Sequence, residues 1–503
     1  FLIVVSTFFH KKKDGPSTLI EQEKSGIHRV AIRSEIPDGE TSETSNVDSI
    51  KTHHTSPMKE SIKPEVGIVG HPTKNIRVPS SNKPEPRKDL VNLGSMQSGQ
   101  VAHKGDSHKP HAALINRDGA LPPLSMLMDE QVIRMDEKTI NQSASILEKT
   151  LMDFGVPARV VGYRIGPTVT QFAVEPGYVE KPAPDGGVIK QKVRVNQISN
   201  LSRDLALALS SMSIRIEAPV PGRSYVGVEI PNIRTITVRL KPLIDSEKFA
   251  KMSAPLALAL GRDVSGQPIV ADLGRMPHLL IAGTTGSGKS VCIAAIASCL
   301  AMNNSPEDLR LVMVDPKMVE LVRFNGLPHL IGKVEVELER IQAVLRWVIN
   351  EMDQRYKMFS EIHARDLDAY NRKMERKQES TLPRIVVIID ELADLMMNAP
   401  TQTEPALVRL AQLARATGIH LIVATQRPST DVVTGLIKAN FPARIAFAVA
   451  SNTDSRVILD TPGAENLLGR GDMLFLNPEA GTPIRAQGVM VSDEEIDLIL
   501  QHW

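Results

Sequence analysis

Apolar residues begin to recur at regular intervals near Leu121, and from there the chain reads as a succession of packed elements. Ile140, Ala144, Ile146, Leu147 and Leu151 fall at helical spacings, so Thr139–Leu151 is expected to form an amphipathic helix that stops before Gly155. Short β-like runs follow at Arg159–Tyr163 and Thr168–Val174, with Gly166-Pro167 as the turn between them. A second helix, Ile198–Met212, leads into Ile214-Arg215-Ile216 and into Tyr225–Ile230, around Pro221-Gly222. This alternation predicts a small α+β subdomain over about residues 121–245.

Beyond Phe249 the pattern changes to apolar strands, each followed by a polar loop or a helix. The strands are expected at His278–Ala282, Leu309–Val314, Arg384–Ile389, His420–Ala424, Ala443–Val449 and Asp472–Leu476. Runs such as Ile385-Val386-Val387-Ile388-Ile389 have no polar side at all, as suits strands of a parallel sheet buried on both faces. Residues 246–503 therefore read as an α/β unit, a parallel sheet with helices on both faces. Between strands, Ile341, Val344, Leu345, Val348, Met352 and Tyr356 make an apolar stripe at helical spacing that is expected to be core.

The first part of the chain has none of this periodicity. No Phe, Tyr or Trp occurs between Phe9 and Phe154, and residues 10–120 are rich in Ser, Lys, Glu, Pro and Gly, which is the composition of a disordered linker. Eight of the 13 histidines lie there, but their spacing is irregular and no Cys accompanies them, so a metal site is not expected. The opening run Phe1–Phe9 is too short to cross a bilayer, which takes about 20 residues. It is followed, not preceded, by His10-Lys11-Lys12-Lys13, the order found where a spanning helix exits on the cytoplasmic side. Residues 1–9 are therefore read as the end of a transmembrane helix.

Composition limits the function. The chain of 503 residues has room for two or three domains, and 59 basic against 58 acidic residues leave overall charge with nothing to say about a nucleic-acid partner. Two cysteines, Cys292 and Cys299, exclude a disulfide scaffold, because seven residues along a helix separate them by about 10 Å. A reducing, cytoplasmic compartment fits this usage.

The chemistry is concentrated after the first strand of the second unit. Gly283-Thr284-Thr285-Gly286-Ser287-Gly288-Lys289-Ser290, followed by the helical run Val291–Met302, matches G-x4-G-K-[ST] between a strand and a helix. Glycines let backbone N–H groups turn toward phosphates, and the helix N-terminus adds positive potential. Lys289 would reach the β- and γ-phosphates and the Ser290 hydroxyl would ligate Mg²⁺. The strand ending at Ile389 runs into Asp390-Glu391, 101 residues after Lys289. That places one carboxylate to hold the Mg²⁺ shell and the next to polarise an attacking water, so ATP hydrolysis is expected rather than binding alone. Thr425-Gln426-Arg427 emerge at the end of the following strand, where they are placed to sense the γ-phosphate. Arg415 precedes that strand on a largely apolar helix and reads either as a buried salt-bridge partner or as an arginine finger.

Together with Asp315-Pro316-Lys317, Pro328-His329-Leu330, Glu351–Tyr356, Asp390–Met396, Ala414–His420, Ala424–Pro428 and Gly463–Met473, these residues resemble the FtsK/SpoIIIE DNA translocases of bacteria. The resemblance runs from about Leu121 to Trp503, its earlier half through Gly166–Thr170, Ile214–Pro219 and Val226–Asn232, similar to the family's α subdomain. It implies a RecA-like β subdomain and a homo-hexameric ring around double-stranded DNA, pumping chromosomal DNA during cell division and chromosome segregation. It also implies a place on the cytoplasmic face of the cell membrane at the division septum, among cell-division proteins. Arg415 would be the finger acting in trans and Thr425-Gln426 the sensor, while Arg427, Ser451, Asn452 and Arg456 would line the DNA channel. Two departures stand out: Asn452 occupies a position where the family often has lysine, and the sequence stops at Trp503 without a winged-helix γ subdomain. With the incomplete membrane helix, the second favours truncation. The alternative is a related ring ATPase that drives conjugation or protein secretion.

Overall fold

The computed structural model describes residues 91–92, 121–131, 136–182, 187–220 and 222–503. The membrane-helix reading of residues 1–9, the linker reading of 10–120 and its histidines lie outside the described residues, apart from one short strand. That strand, β1 (Val91–Asn92), pairs in parallel with Gly162 and Tyr163. No helix among the described residues is long and apolar enough to cross a membrane.

The first folded part begins with α1 (Glu137–Asp153), whose start is capped by the Asp136 carboxylate accepting from the Lys138 amide. Its buried stripe is Ile140, Ala144, Leu147 and Leu151. Strands β2 (Ala158–Ile165) and β3 (Val169–Pro176) form an antiparallel pair, and an exposed hairpin follows, β4 (Tyr178–Pro182) with β5 (Val188–Lys192). The single helix expected over Ile198–Met212 is instead two short ones, α2 (Val195–Ser199) and α3 (Ser202–Ala208). Only Ile198 and Leu205 reach the core, while Leu207 and Met212 are exposed. The serines and asparagine of this stretch compete for backbone hydrogen bonds, and Ser210, at φ 50°, ends the run. Strands β6 (Arg215–Glu217) and β7 (Val226–Pro231) complete a five-stranded sheet in the order β1-β2-β3-β7-β6, covered by α1 through Phe172, Val174, Val226 and Val228.

Two short helices, α4 (Leu240–Ile244) and α5 (Glu247–Met252), lead to a hairpin of β8 (Ala257–Asp263) and β9 (Pro268–Asp272). Then come β10 (His278–Ala282), α6 (Lys289–Asn303), β11 (Leu309–Val314), α7 (Leu338–Glu361), α8 (Leu367–Lys377) and β12 (Arg384–Ile389). Helices α9 (Leu392–Asn398) and α10 (Pro400–Leu413), β13 (Ile419–Thr425), α11 (Gly435–Asn440), β14 (Ala443–Phe447) and α12 (Asn452–Leu459) follow. The chain closes with β15 (Asp472–Leu476), β16 (Ile484–Gly488) and α13 (Asp493–His502).

These strands form one sheet ordered β11-β12-β13-β10-β14-β15-β16-β8-β9. The first five are parallel, with β10 between β13 and β14 and away from its successor β11, which is the RecA-like arrangement. The last four run antiparallel, so the sheet is mixed where the sequence predicts parallel strands throughout. Alternate residues of β12 serve opposite faces: Val386 and Ile388 pack with α6, and Ile385, Val387 and Ile389 with α7 and α10. The expected stripe on α7 is core at Ile341, Leu345, Val348 and Met352, whereas the exposed edge of Tyr356 donates its hydroxyl to the Leu413 carbonyl. Strand β16 escapes sequence reading because its buried positions include Arg485 and Gln487.

Arg485 explains that polar interior. Its guanidinium donates Nε and Nη2 to the two oxygens of Asp472, and Nη1 donates to Glu229 of β7 at 2.7 Å. Glu229 also accepts from Arg215 and from Gln171, so a buried ion cluster joins β15 and β16 of the large sheet to the small one. Removing one member of such a cluster strands its partners in low dielectric. Glu229→Ala is therefore expected to destabilise the folded protein by about 3–5 kcal/mol in urea unfolding.

At the other end of the sheet, His278 and His420 are buried with ring centroids 6.4 Å apart. The Leu421 amide donates to His278 Nδ1, which leaves that ring neutral, and His420 Nδ1 donates to the Pro277 carbonyl. Burial, and for His278 also the neighbouring His420, pushes their pKa values from the usual 6.5 to about 3 and about 4. The unfolded chain then binds more protons below pH 6.5. Stability contributed by this pair is full above about pH 6.5 and is expected to fall between pH 6.5 and about 3 to 4, with His278→Gln flattening that part of the curve.

Candidate functional site

The loop after β10 is shaped by contacts that leave no room for a side chain at Gly283 or Gly288. Gly286 and Gly288 lie at φ 77° and 115°, where other residues are strained. A Cβ on Gly288 would sit 2.6 Å from the Gly471 amide nitrogen, and one on Gly283 would sit 2.6 Å from Phe447 Cβ. The loop is tied to both flanking strands: the Gly283 amide donates to the Thr425 carbonyl, and the Thr284 amide and hydroxyl both donate to the Ala448 carbonyl. Behind it, the Gly471 amide donates to the Ser287 carbonyl and the Gly488 amide to the Gly471 carbonyl. No side chain caps α6, so the amides of its first turn face the loop and supply an anion site.

Lys289 is buried, and its ammonium donates to Asp390 Oδ1 at 2.6 Å and to the Asp390 carbonyl at 2.8 Å. Burial raises the Asp390 pKa, and the facing Lys289 only partly offsets it. Asp390 Oδ2 and Ser287 Oγ are buried without a hydrogen-bond partner. Unsatisfied buried oxygens are costly unless something binds them. With the Ser290 hydroxyl in the first turn of α6, Asp390 Oδ2 offers the hard oxygen ligands that suit Mg²⁺, an ion that takes one or two protein ligands and completes its shell with phosphate and water. No cluster of three or more His, Cys, Asp or Glu able to hold a metal occurs among the described residues.

Glu391 is 1% exposed and fully engaged. Its Oε1 accepts from the Thr425 hydroxyl at 2.8 Å and the Gln426 amide at 3.0 Å, and Oε2 accepts from Lys317 Nζ at 2.6 Å. Burial works to raise its pKa, but these hydrogen bonds outweigh it and hold the group below the ordinary carboxylate value. Gln426 reaches the other way as well, accepting from the Thr285 hydroxyl of the loop at 2.9 Å. The structure thus brings together all of Gly283–Ser290, Asp390, Glu391, Thr425 and Gln426, and adds Lys317. In the sequence Lys317 carries no role of its own; its place just past the apolar strand Leu309–Val314 is the one signal there, and that this strand lies beside β12 comes only from the fold.

Arg415 is not part of this cluster. It lies in a 3₁₀ turn, Ala414–Thr417, and not on the apolar helix expected for it. Its side chain is exposed, which removes the buried salt-bridge reading, and its charge acts on His278 and His420 at the opposite end of the sheet. Arg427 is exposed beside Met397, just past β13. Ser451 caps α12 by accepting from the Asp454 amide, while Asn452 accepts from Arg456 and donates to Glu465. Because β10, β13 and β14 are parallel neighbours, Arg427 and Ser451–Arg456 emerge at the same sheet edge as the glycine loop. Gly288→Ala adds both strain and a clash with Gly471, and is expected to weaken binding of a fluorescent ATP analogue by at least about tenfold. Unchanged affinity would contradict this account of the loop.

The sequence matches the FtsK/SpoIIIE family over residues 239–430 and the FtsK alpha domain over residues 121–232. It is 47% identical over 397 residues to DNA translocase SpoIIIE of Bacillus subtilis (strain 168), covering 77% of this chain and 49% of that protein. It is 44% identical over 449 residues to DNA translocase FtsK of Halalkalibacterium halodurans, covering 86% of this chain and 55% of that one. The chain thus spans about half the length of the curated relatives it matches. Among solved structures, the pCW3 conjugation coupling protein TcpA, a monomer form with ATPgS, aligns with a TM-score of 0.48 and 24% identity over 72% of this chain and 99% of that chain. With a strand-to-helix phosphate loop, an acidic pair on the adjacent strand end, and both family matches laid end to end along the same fold, the chain belongs to the FtsK/SpoIIIE family.

Proposed function

We propose that this chain is an ATP-dependent double-stranded DNA translocase, working as a homo-hexameric ring that moves chromosomal DNA during cell division. The observation that carries the hydrolytic part is the Glu391 carboxylate, buried beside the phosphate loop and held by the same Gln426 that touches that loop. A binding module has no use for a second, desolvated carboxylate there. The names of the relatives support the DNA substrate.

In this reading Lys289 exchanges Asp390 for the β- and γ-phosphates, which frees Asp390 to join Ser290 in holding Mg²⁺. Mg²⁺, when bound with ATP, neutralises the charge that develops on the phosphates. Glu391 orients the attacking water, and Thr425 and Gln426 register the state of the loop. Arg415, remote from its own site and exposed, is free to enter a neighbour's site in the ring. Arg427, Ser451, Asn452 and Arg456 face the DNA channel, and phosphate contacts of this kind grip without reading sequence. A ring concentrates a few such cations in one place, so a nearly neutral chain can still hold DNA. In this reading residues 1–9 are the end of a membrane helix that tethers the motor to the cytoplasmic face of the membrane at the septum, through a linker over 10–120 that contributes the short strand β1 to the small sheet, with 121–245 and 246–503 as the two subdomains.

The test is the ATPase rate with and without linear duplex DNA across a salt series. Stimulation by DNA is expected to fade as salt rises, and Lys289→Ala to abolish both hydrolysis and translocation. ATPase activity indifferent to duplex DNA would overturn the DNA reading, and a working pump with Ala at 289 would overturn the motor itself.

A further inference from the structure

Lys317 makes one of the shortest ion pairs in the molecule, 2.6 Å, to a carboxylate that is itself 1% exposed. The lysine is not loosely placed. Asp315, fully buried, ends β11 and gathers the turn that follows: Oδ1 accepts from the Lys317 amide, and Oδ2 from the amides of Val319, Glu320 and Leu321. The Met318 amide closes the turn onto the Asp315 carbonyl, Pro316 sits at the position that presets such a turn, and Met318 is held at φ 56°. On the other side, the Asp390 amide donates to the Val314 carbonyl, so the two strand ends that carry Lys317 and Glu391 are bonded to each other. A long, flexible side chain has thus been given a fixed root and a fixed target.

Glu391 is gripped from two sides. At the end of β13, the Thr425 hydroxyl holds Oε1 and the Gln426 amide lies across both oxygens, at 3.0 Å from Oε1 and 3.3 Å from Oε2, while the turn after β11 holds Oε2 through Lys317. With donors on both sides, the carboxylate has one orientation. Nothing in the reading of the phosphate loop requires Lys317: Lys289 already supplies the buried cation there.

We propose that Lys317 is a positioning residue for hydrolysis, acting through Glu391 and not on the nucleotide, with Asp315 fixing its root. This rests on Glu391 being the hydrolytic carboxylate. Misplacing a reacting group by about 1 Å can cost about 100-fold in rate, and loss of a general base costs about 10²–10⁴-fold. Lys317→Met is therefore expected to lower kcat by about 10–100-fold while KM and the affinity for a fluorescent ATP analogue stay within about twofold. Lys317→Arg, which keeps the charge and reach, should recover most of the rate.

The decisive comparison is made on the full chain with duplex DNA present. Wild type, Lys317→Met, Lys317→Arg, Glu391→Gln and the Lys317→Met/Glu391→Gln pair are assayed for kcat, KM, analogue affinity and thermal midpoint. If Lys317 works through Glu391, the double variant is no slower than Glu391→Gln alone. A double variant slowed further, a Lys317→Met protein with weakened analogue binding at unchanged kcat, or one at wild-type rate would each overturn the proposal. A Lys317→Met protein that is slow only because its thermal midpoint has collapsed, with Lys317→Arg equally slow, would overturn it in favour of a structural role. Failure of the underlying reading looks different: Glu391→Gln then hydrolyses ATP at the wild-type rate.

Discussion

The parallel pairing of β10 between β13 and β14 is the constraint from which the rest of the site follows. Parallel neighbours deliver their carboxyl ends to one edge, so three segments far apart in the chain converge without any contact between their side chains being needed first. The glycine loop then has two fixed walls, the Thr425 carbonyl and the Ala448 carbonyl, each accepting one of its amides. A third wall is backbone, at Gly471. These walls account for the glycines better than phosphate alone does: two of them are required before any ligand arrives.

Burying charge at that edge is costly, and the structure offsets the cost by pairing. Lys289 lies against Asp390, and Glu391 lies against Lys317, Thr425 and Gln426. The same solution recurs on β15 and β16, where Arg485 is held by Asp472 and Glu229. The two arrangements differ in completeness. The Arg485 cluster satisfies its members among themselves, as a structural joint would. The Lys289–Asp390 pair leaves Asp390 Oδ2 unpartnered, which is the feature on which its proposed exchange of partners rests.

The two short segments that link the strand ends also divide the labour of the site. The turn after β11 and the end of β13 converge on the two oxygens of one carboxylate, and Gln426 extends that contact to the phosphate loop. A change at Thr285 therefore has a direct hydrogen-bonded route to Glu391, two bonds long. Arg415 stands apart from these contacts, exposed at the opposite edge of the sheet, where its charge acts on His278 and His420.

Much of this was legible in the sequence because it is local. The glycine loop, the strand Ile385–Ile389 ending in two acids, and the strands His278–Ala282 and Leu309–Val314 are each written in consecutive residues, so periodicity and motif spacing suffice. Where local signals conflict with tertiary burial the reading failed. Strand β16 hides Arg485 and Gln487 inside, contrary to the usual pattern, because Arg485 finds partners on β15 and the small sheet and Gln487 donates to the Arg470 carbonyl in the loop before β15. The apolar run Ile198–Met212 suggested one helix, yet only Ile198 and Leu205 of it are fully buried. Lys317 meeting Glu391 across 74 residues, and Gln426 meeting Thr285 across 141, are likewise invisible in sequence. The sequence by itself determined which chemistry the chain carries and which strands bear it. Only the tertiary structure decided which groups touch, because contact depends on strand order, and strand order is set by burial of both sheet faces at once and not by any single segment.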